Sequence, residues 1–155
     1  MADITLNVFK PKNQKGDVVF KDFGLRIEAK IASTESGTLV PGTVVKLVDV
    51  SGDKPAVAIA AASDTAFGVV QYEAAKKNSY TYAAGADNSI TIASFASVIK
   101  LEASAAIAAG AKVEYVPTGA KVVTNSTGVA FGKALDKATA SGDIIKVMVL
   151  VPNLA

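Results

Sequence analysis

Short segments rich in β-branched residues, separated by clusters of turn-forming residues, dominate the chain from residue 38 onward. β-Branched residues favour extended strands, and glycine, proline, asparagine and aspartate between them favour tight turns. A spacing of about ten residues between such segments is typical of a small β-barrel or β-sandwich, so the sequence predicts an all-β fold. The predicted strands are Thr43–Val50, Val57–Ala60, Phe67–Tyr72, Ser89–Leu101, Val113–Val116, Lys121–Thr124, Val129–Leu135 and Ile144–Val151.

Four segments allow a more specific prediction. Ser89–Leu101 is long for one strand, so we expect a bent strand or a hairpin there. Pro117–Ala120 has the composition of a hairpin turn. Ile144–Val151 is apolar on both faces, which indicates a central strand covered on both sides. The alanine-rich stretch Glu102–Gly110 predicts one short helix ending at its glycine, and no other helix is expected.

Two stretches of the chain resemble two later ones. Leu39–Leu47 matches Ile107–Tyr115 in its apolar and glycine positions, and Ala66–Val69 matches Ala130–Lys133. A duplication would give each copy a strand preceded by glycine, a second strand that pairs with it as a hairpin, and a strand containing Phe-Gly with the phenylalanine pointing inward. Two such copies could then pack as halves of one barrel. Generic β patterning is the alternative explanation for matches this short.

Residues 1–35 differ in composition from the rest of the chain. They hold three of the six phenylalanines among several charges, and apolar and polar residues alternate only briefly in them. The segment is either two short edge strands joined by a loop or an extended arm that buries its apolar residues on another chain. The predicted organisation is therefore an N-terminal arm over residues 1–35 and a β-barrel domain over residues 36–155. The candidate partner-binding residues are Val8, Phe9, Phe20 and Phe23.

The side chains that most enzymes depend on are missing. The sequence has no cysteine and no histidine, which excludes disulfides, thiolate nucleophiles, Ser-His-Asp triads and the common zinc sites. The Asp49–Asp53 stretch has two carboxylates but no glutamate at calcium-loop spacing, so a solvated turn is expected. No nucleotide-binding glycine motif occurs. We expect neither catalysis nor a cofactor or metal.

Charge and hydropathy restrict the partners. Sixteen basic and fourteen acidic residues give a net charge of +2 without a concentrated basic patch, so no nucleic-acid partner is expected. No apolar run approaches the roughly 20 residues needed to span a bilayer. The N-terminus has no signal-peptide pattern, so we expect no membrane partner and synthesis in the cytoplasm.

Five glycine- and valine-rich segments stand out together: Leu39–Val45, Ala66–Val70, Ala105–Val116, Gly128–Ala138 and Gly142–Val149. In these segments the chain resembles the capsid decoration (cement) proteins of tailed bacteriophages. The resemblance covers about 110 residues of small and glycine-rich motifs, and residues 1–35 lie outside it. It implies a β-barrel or β-sandwich that binds the major capsid protein on the capsid exterior, often as a homotrimer, and reinforces the shell of the virion.

Two other functions remain open from the sequence. One is a tail- or fibre-associated β domain of a virion. The other is a carbohydrate-binding module that uses Tyr72, Tyr80 and Tyr82 as its sugar-binding face, although tyrosines around a loop also serve as rim packing. On the decoration-protein interpretation, the N-terminal arm would dock on the capsid or on a neighbouring copy.

Overall fold

The chain is all-β, as the sequence predicts. A computed structural model describes residues 15–16, 18, 24–72 and 89–151. Those residues form ten strands and contain no helix, and therefore no helix long and apolar enough to cross a membrane. The strands are β1 (Arg26–Ile31), β2 (Val44–Asp49), β3 (Ala56–Ile59), β4 (Gly68–Val70), β5 (Ser89–Ala93), β6 (Val98–Ala103), β7 (Lys112–Val116), β8 (Lys121–Thr124), β9 (Ala130–Ala134) and β10 (Ile144–Val149).

The strands form two closed five-stranded barrels with the same topology. The first has the order β1-β3-β2-β4-β5 and the second the order β6-β8-β7-β9-β10. In each barrel the first and third strands pair in parallel, and all other neighbours are antiparallel. The registers also agree, since Val45 lies opposite Gly68 just as Val113 lies opposite Gly132. The internal repeat predicted from the sequence is therefore a structural duplication.

Each copy of the repeat closes on itself, so the expectation that the copies form halves of one barrel is wrong. The stretches matched in sequence cover only the second and fourth strands of each copy. Each copy also has a first and a fifth strand, which pair over five residues from Arg26–Ala93 to Lys30–Ser89 in the first barrel. This pairing supplies the closing ladder and leaves neither copy with a long open edge to complete with the other.

Equivalent glycines occupy equivalent places in the two barrels. Gly42 and Gly110 precede β2 and β7 with φ of +90° and +84°, a conformation that glycine adopts without steric cost. Gly68 and Gly132 lie where β4 and β9 approach the next strand. A Cβ at Gly132 would lie 2.6 Å from the Met148 carbonyl oxygen. The second pair thus permits a close approach of backbones that any side chain would obstruct.

Gly132→Ala is expected to lower the free energy of unfolding by about 1–3 kcal/mol, because the added methyl group overpacks against the β10 backbone. Gly52→Ala is the matched control. Its Cβ would come within 2.8 Å of the flexible end of Lys30 and would meet backbone only at 3.7 Å, so its effect should stay within about 0.5 kcal/mol. Urea unfolding of both variants checks this, and equal losses would show that the close approach at β9 is unimportant.

The predicted helix over Glu102–Gly110 does not form. Its first two residues belong to β6, and Ile107 instead forms an antiparallel bridge with Ala138 through two backbone hydrogen bonds of 3.0 and 2.9 Å. Alanine favours helix only weakly, and a helix of two turns has few hydrogen bonds to stabilise it. Backbone pairing and burial of Ile107 override that preference.

The predicted strand Ser89–Leu101 is two strands that belong to different barrels. β5 closes the first barrel and β6 opens the second, so they do not form a hairpin. The linker between them contains Ser94 and Ser97, both fully buried. The Ser94 hydroxyl lies 2.9 Å from the Phe67 carbonyl and 3.0 Å from the Val151 carbonyl, and the Ser97 hydroxyl donates to the Leu25 carbonyl at 3.0 Å. These hydrogen bonds tie the linker to the barrels.

The apolar core has two main parts. One cluster fills the first barrel, where Val45, Val57 and Ile92 are fully buried. The larger cluster fills the second barrel and continues onto the outer face of the first, which contributes Val44 and Val69. One strand differs from its prediction in detail. β10 lies between β6 and β9, but only its inward side chains are buried, and its outward ones are half-buried.

Candidate interaction surfaces

The four predicted partner-binding residues, Val8, Phe9, Phe20 and Phe23, lie outside the described residues. Part of the predicted arm is described, however. Arg26–Ile31 forms β1 of the first barrel. Val18 is buried and bridges to Ile99 of β6. Otherwise, the boundary between an arm over residues 1–35 and a barrel domain over residues 36–155 stays a prediction.

Gly16 and Lys15 connect the two barrels. The Gly16 N–H donates to the Lys100 carbonyl of the second barrel at 2.6 Å, and its carbonyl accepts from the Tyr72 N–H at 2.8 Å. The Lys15 ammonium donates to the Gly119 carbonyl at 2.9 Å. Burial lowers the pKa of Lys15, the nearby charge of Lys121 lowers it further, and Glu102 partly offsets both. This short stretch is therefore a structural strap within one chain.

Two N-terminal truncations separate the strap from the residues before it. Removal of residues 1–14 is the reference, because it leaves Lys15, Gly16 and Val18 in place. Removal of residues 1–24 should lower the free energy of unfolding by about 2–3 kcal/mol. It takes away the buried Val18 side chain and the two hydrogen bonds that Gly16 makes. Chemical denaturation of the two truncated chains checks this, and equal stabilities would contradict a structural role for the strap.

Eight large apolar side chains are exposed among the described residues, and three of them lie together at the end of β2. Leu47 is 43% exposed, Val48 47% and Val50 67%. We call these three residues the β2 tip. From the sequence they belong to an apolar strand and look like core. The others are Leu25, Phe95, Val129, Leu135 and Leu150.

A second apolar group surrounds the linker between the barrels. The Leu25 N–H donates to the Phe95 carbonyl at 2.9 Å, and the neighbouring Ala96 N–H donates to the Val149 carbonyl at 2.8 Å. These backbone bonds join the segments that carry three exposed apolar residues, Leu25, Phe95 and Leu150. Sequence reasoning missed this group because its members come from three distant segments.

A buried carboxylate organises the turn after β8. The same Glu114 oxygen, Oε2, accepts from the Asn125 side chain and from the Ser126 and Gly128 N–H groups at 2.8 Å each, and from Thr127 N–H at 3.2 Å. Hydrogen bonds from backbone N–H groups hold the pKa of Glu114 below its usual range, against an opposing effect of burial. These hydrogen bonds join β7 to the turn after β8, which gives the Glu114 carboxylate a structural role.

The tyrosine and aspartate candidates do not form a site. Tyr72 is buried at 5% exposure, which removes it from a sugar-binding face, and Tyr80 and Tyr82 lie outside the described residues. Asp49 accepts hydrogen bonds from Ser51 and stabilises the turn that the sequence predicts. Over the described ranges, no group of three or more acidic residues is placed to hold a metal ion.

Comparison with known proteins supports the fold. No protein-family model and no curated protein matches the sequence. Among solved structures, the chain is similar to the N base of the head fiber gp8.5 of bacteriophage phi29, with a TM-score of 0.55 and 13% sequence identity. The similarity covers 81% of this chain and 92% of that chain. The two chains share a fold. At this identity, the similarity concerns architecture and not individual site residues.

Proposed function

We propose that this chain is a structural protein of a tailed-phage head that decorates the outer surface of the capsid and stabilises the shell. The observation that carries the proposal is the fold, which is shared along most of the chain with the base of a phage head fiber. The resemblance to decoration proteins in the glycine- and valine-rich segments supports the same assignment independently of that comparison. The proposed partners are the major capsid protein and two further copies in a homotrimer.

The described surface is consistent with a role in binding rather than catalysis. Its exposed apolar side chains, including the β2 tip, are suited to contacts with other proteins. A subunit that touches several neighbours on one shell gains affinity, because each further contact forms at high effective concentration. Binding to the assembled shell, and not to free coat subunits, then stabilises the shell as any ligand stabilises the state it binds.

A second candidate is the base of a head fibre, which the solved neighbour favours because that protein is itself a head fiber base. The two candidates place the protein on the same particle but predict different shapes. A decoration protein gives compact knobs at regular positions on the shell. A fibre base gives attachment points from which longer appendages project.

The deciding experiment uses shells assembled from the coat protein encoded in the same genome. Purified protein is added, and the shells are imaged by electron microscopy and heated. We expect density on the shell exterior and a higher shell melting temperature, because ligand at 100 times its dissociation constant stabilises by about 2.7 kcal/mol. Sedimentation of the free protein tests the trimer separately. Absence of binding to shells, or binding to tails alone, would overturn the proposal.

A further inference from the structure

Because the barrel is duplicated, the same end of the fold can be compared in two surroundings within this chain. Leu47 lies opposite Val57 in the first barrel, and Tyr115 lies opposite Val122 at the equivalent register in the second. Leu47 and Tyr115 therefore occupy the same position in the two copies, near the same end of each barrel. What covers that end in one copy indicates what could cover it in the other.

In the second barrel this end is covered by the first barrel. Tyr115 is only 3% exposed and belongs to the apolar cluster that includes Val44 and Val69 of the first barrel. Its hydroxyl forms hydrogen bonds with the Thr43 side chain and the Val44 backbone. The surface that receives Tyr115 is thus an outer sheet face of small apolar side chains with a hydroxyl at its border.

Among the residues that the structure describes, no second barrel covers the equivalent end of the first barrel. Leu47, at the position of Tyr115, is 43% exposed, and Val48 and Val50 beside it are more exposed still. Three large aliphatic side chains are thus exposed within four residues of the chain, which makes this segment a candidate interaction site.

We propose that the β2 tip is the surface through which this chain docks on the coat protein, against an outer β-sheet face of small apolar side chains like that of Val44 and Val69. This inference rests on the proposed function and names the part of the chain that makes the contact. The inter-barrel junction supplies the template, since the same end of the same fold binds such a face within this molecule.

A second copy docked head to tail fits less well. The face of the second barrel equivalent to Val44 and Val69 carries Lys112 and Lys133, which lie directly opposite each other and are exposed. Covering them with Leu47 of another copy would desolvate two ammonium groups against an aliphatic side chain. This lysine pair disfavours head-to-tail docking of a second copy, so the apolar β2 tip is better matched to a different protein.

The test measures binding to shells of the coat protein from the same genome. Leu47→Gln and Val50→Gln are compared with Leu135→Gln and Val129→Gln, which replace apolar residues of 41% and 39% exposure on the second barrel. We expect each β2 tip variant to bind shells at least tenfold more weakly than the wild type, and each control variant to bind within twofold. Val50 is exposed enough that its variant should fold even where Leu47→Gln does not.

The outcomes separate the two proposals. If wild-type protein binds shells and both β2 tip variants, folded by circular dichroism, bind equally well, the docking surface is wrong while the proposed function stands. If the variants instead lose self-association and keep shell binding, the tip joins copies of this chain and the coat-protein contact is overturned. If the wild type does not bind shells, the proposed function fails, and this inference fails with it.

Discussion

Phe131→Ala is expected to lower the free energy of unfolding by about 3–5 kcal/mol, the range for removing a buried aromatic side chain. Phe131 is 1% exposed and lies in the cluster that fills the second barrel and extends onto the first. For a chain of this size the loss corresponds to a melting temperature about 10 °C lower. Calorimetry should show one shifted transition, because the shared cluster couples the two barrels.

Phe67→Ala is the matched control, since Phe67 holds the equivalent position in the first copy but is only partly buried against the core there. Its truncation should cost about half as much as that of Phe131, because less apolar surface returns to water. Equal costs for the two variants, or two separate transitions in Phe131→Ala, would contradict this account of a shared core.

Glu114→Ala is expected to cost about 2–3 kcal/mol, because several donors lose a charged acceptor that water replaces only in part. Glu114→Gln keeps an acceptor but removes the charge, so its effect should appear mainly in the pH dependence. The folded-state pKa of Glu114 is lowered, so its contribution is fully present above the unfolded-state pKa and is lost as pH falls through the folded one. Wild-type stability should therefore decline below about pH 5, and less steeply in the variant.

Asp53→Asn is the control for Glu114→Gln, because it removes the same charge from an exposed position in the turn between β2 and β3. Urea unfolding at pH 7 and at about pH 3.5 measures both variants. Asp143 also has a lowered pKa, through hydrogen bonds from Thr139 and Ala140, so some acid sensitivity should survive in Glu114→Gln. If Glu114→Gln loses as much stability in acid as the wild type, the Glu114 carboxylate adds no pH-dependent stability.

Local signals were strong enough to predict the strands and turns. β-Branched residues favour extended backbone and turn residues favour tight turns, whatever the rest of the chain does. The hairpin turn at 117–120 forms between β7 and β8 as expected. The repeat was visible for a similar reason. Gly42 and Gly110 need the same positive φ, and Gly68 and Gly132 the same close backbone approach, so both glycines of each copy are retained while neighbouring side chains differ.

The sequence alone determined the fold class and most strands, because these depend on the conformational preferences of residues close in the chain. It suggested a duplication, which the matching topology and registers of the two barrels established. Only the tertiary structure decided that each copy closes into its own barrel, since closure depends on pairing of β1 with β5, more than 50 residues apart. The same holds for the candidate surface. Leu47 and Tyr115 look like equivalent core residues in sequence, and only the packing of one barrel on the other buries Tyr115 and leaves Leu47 exposed.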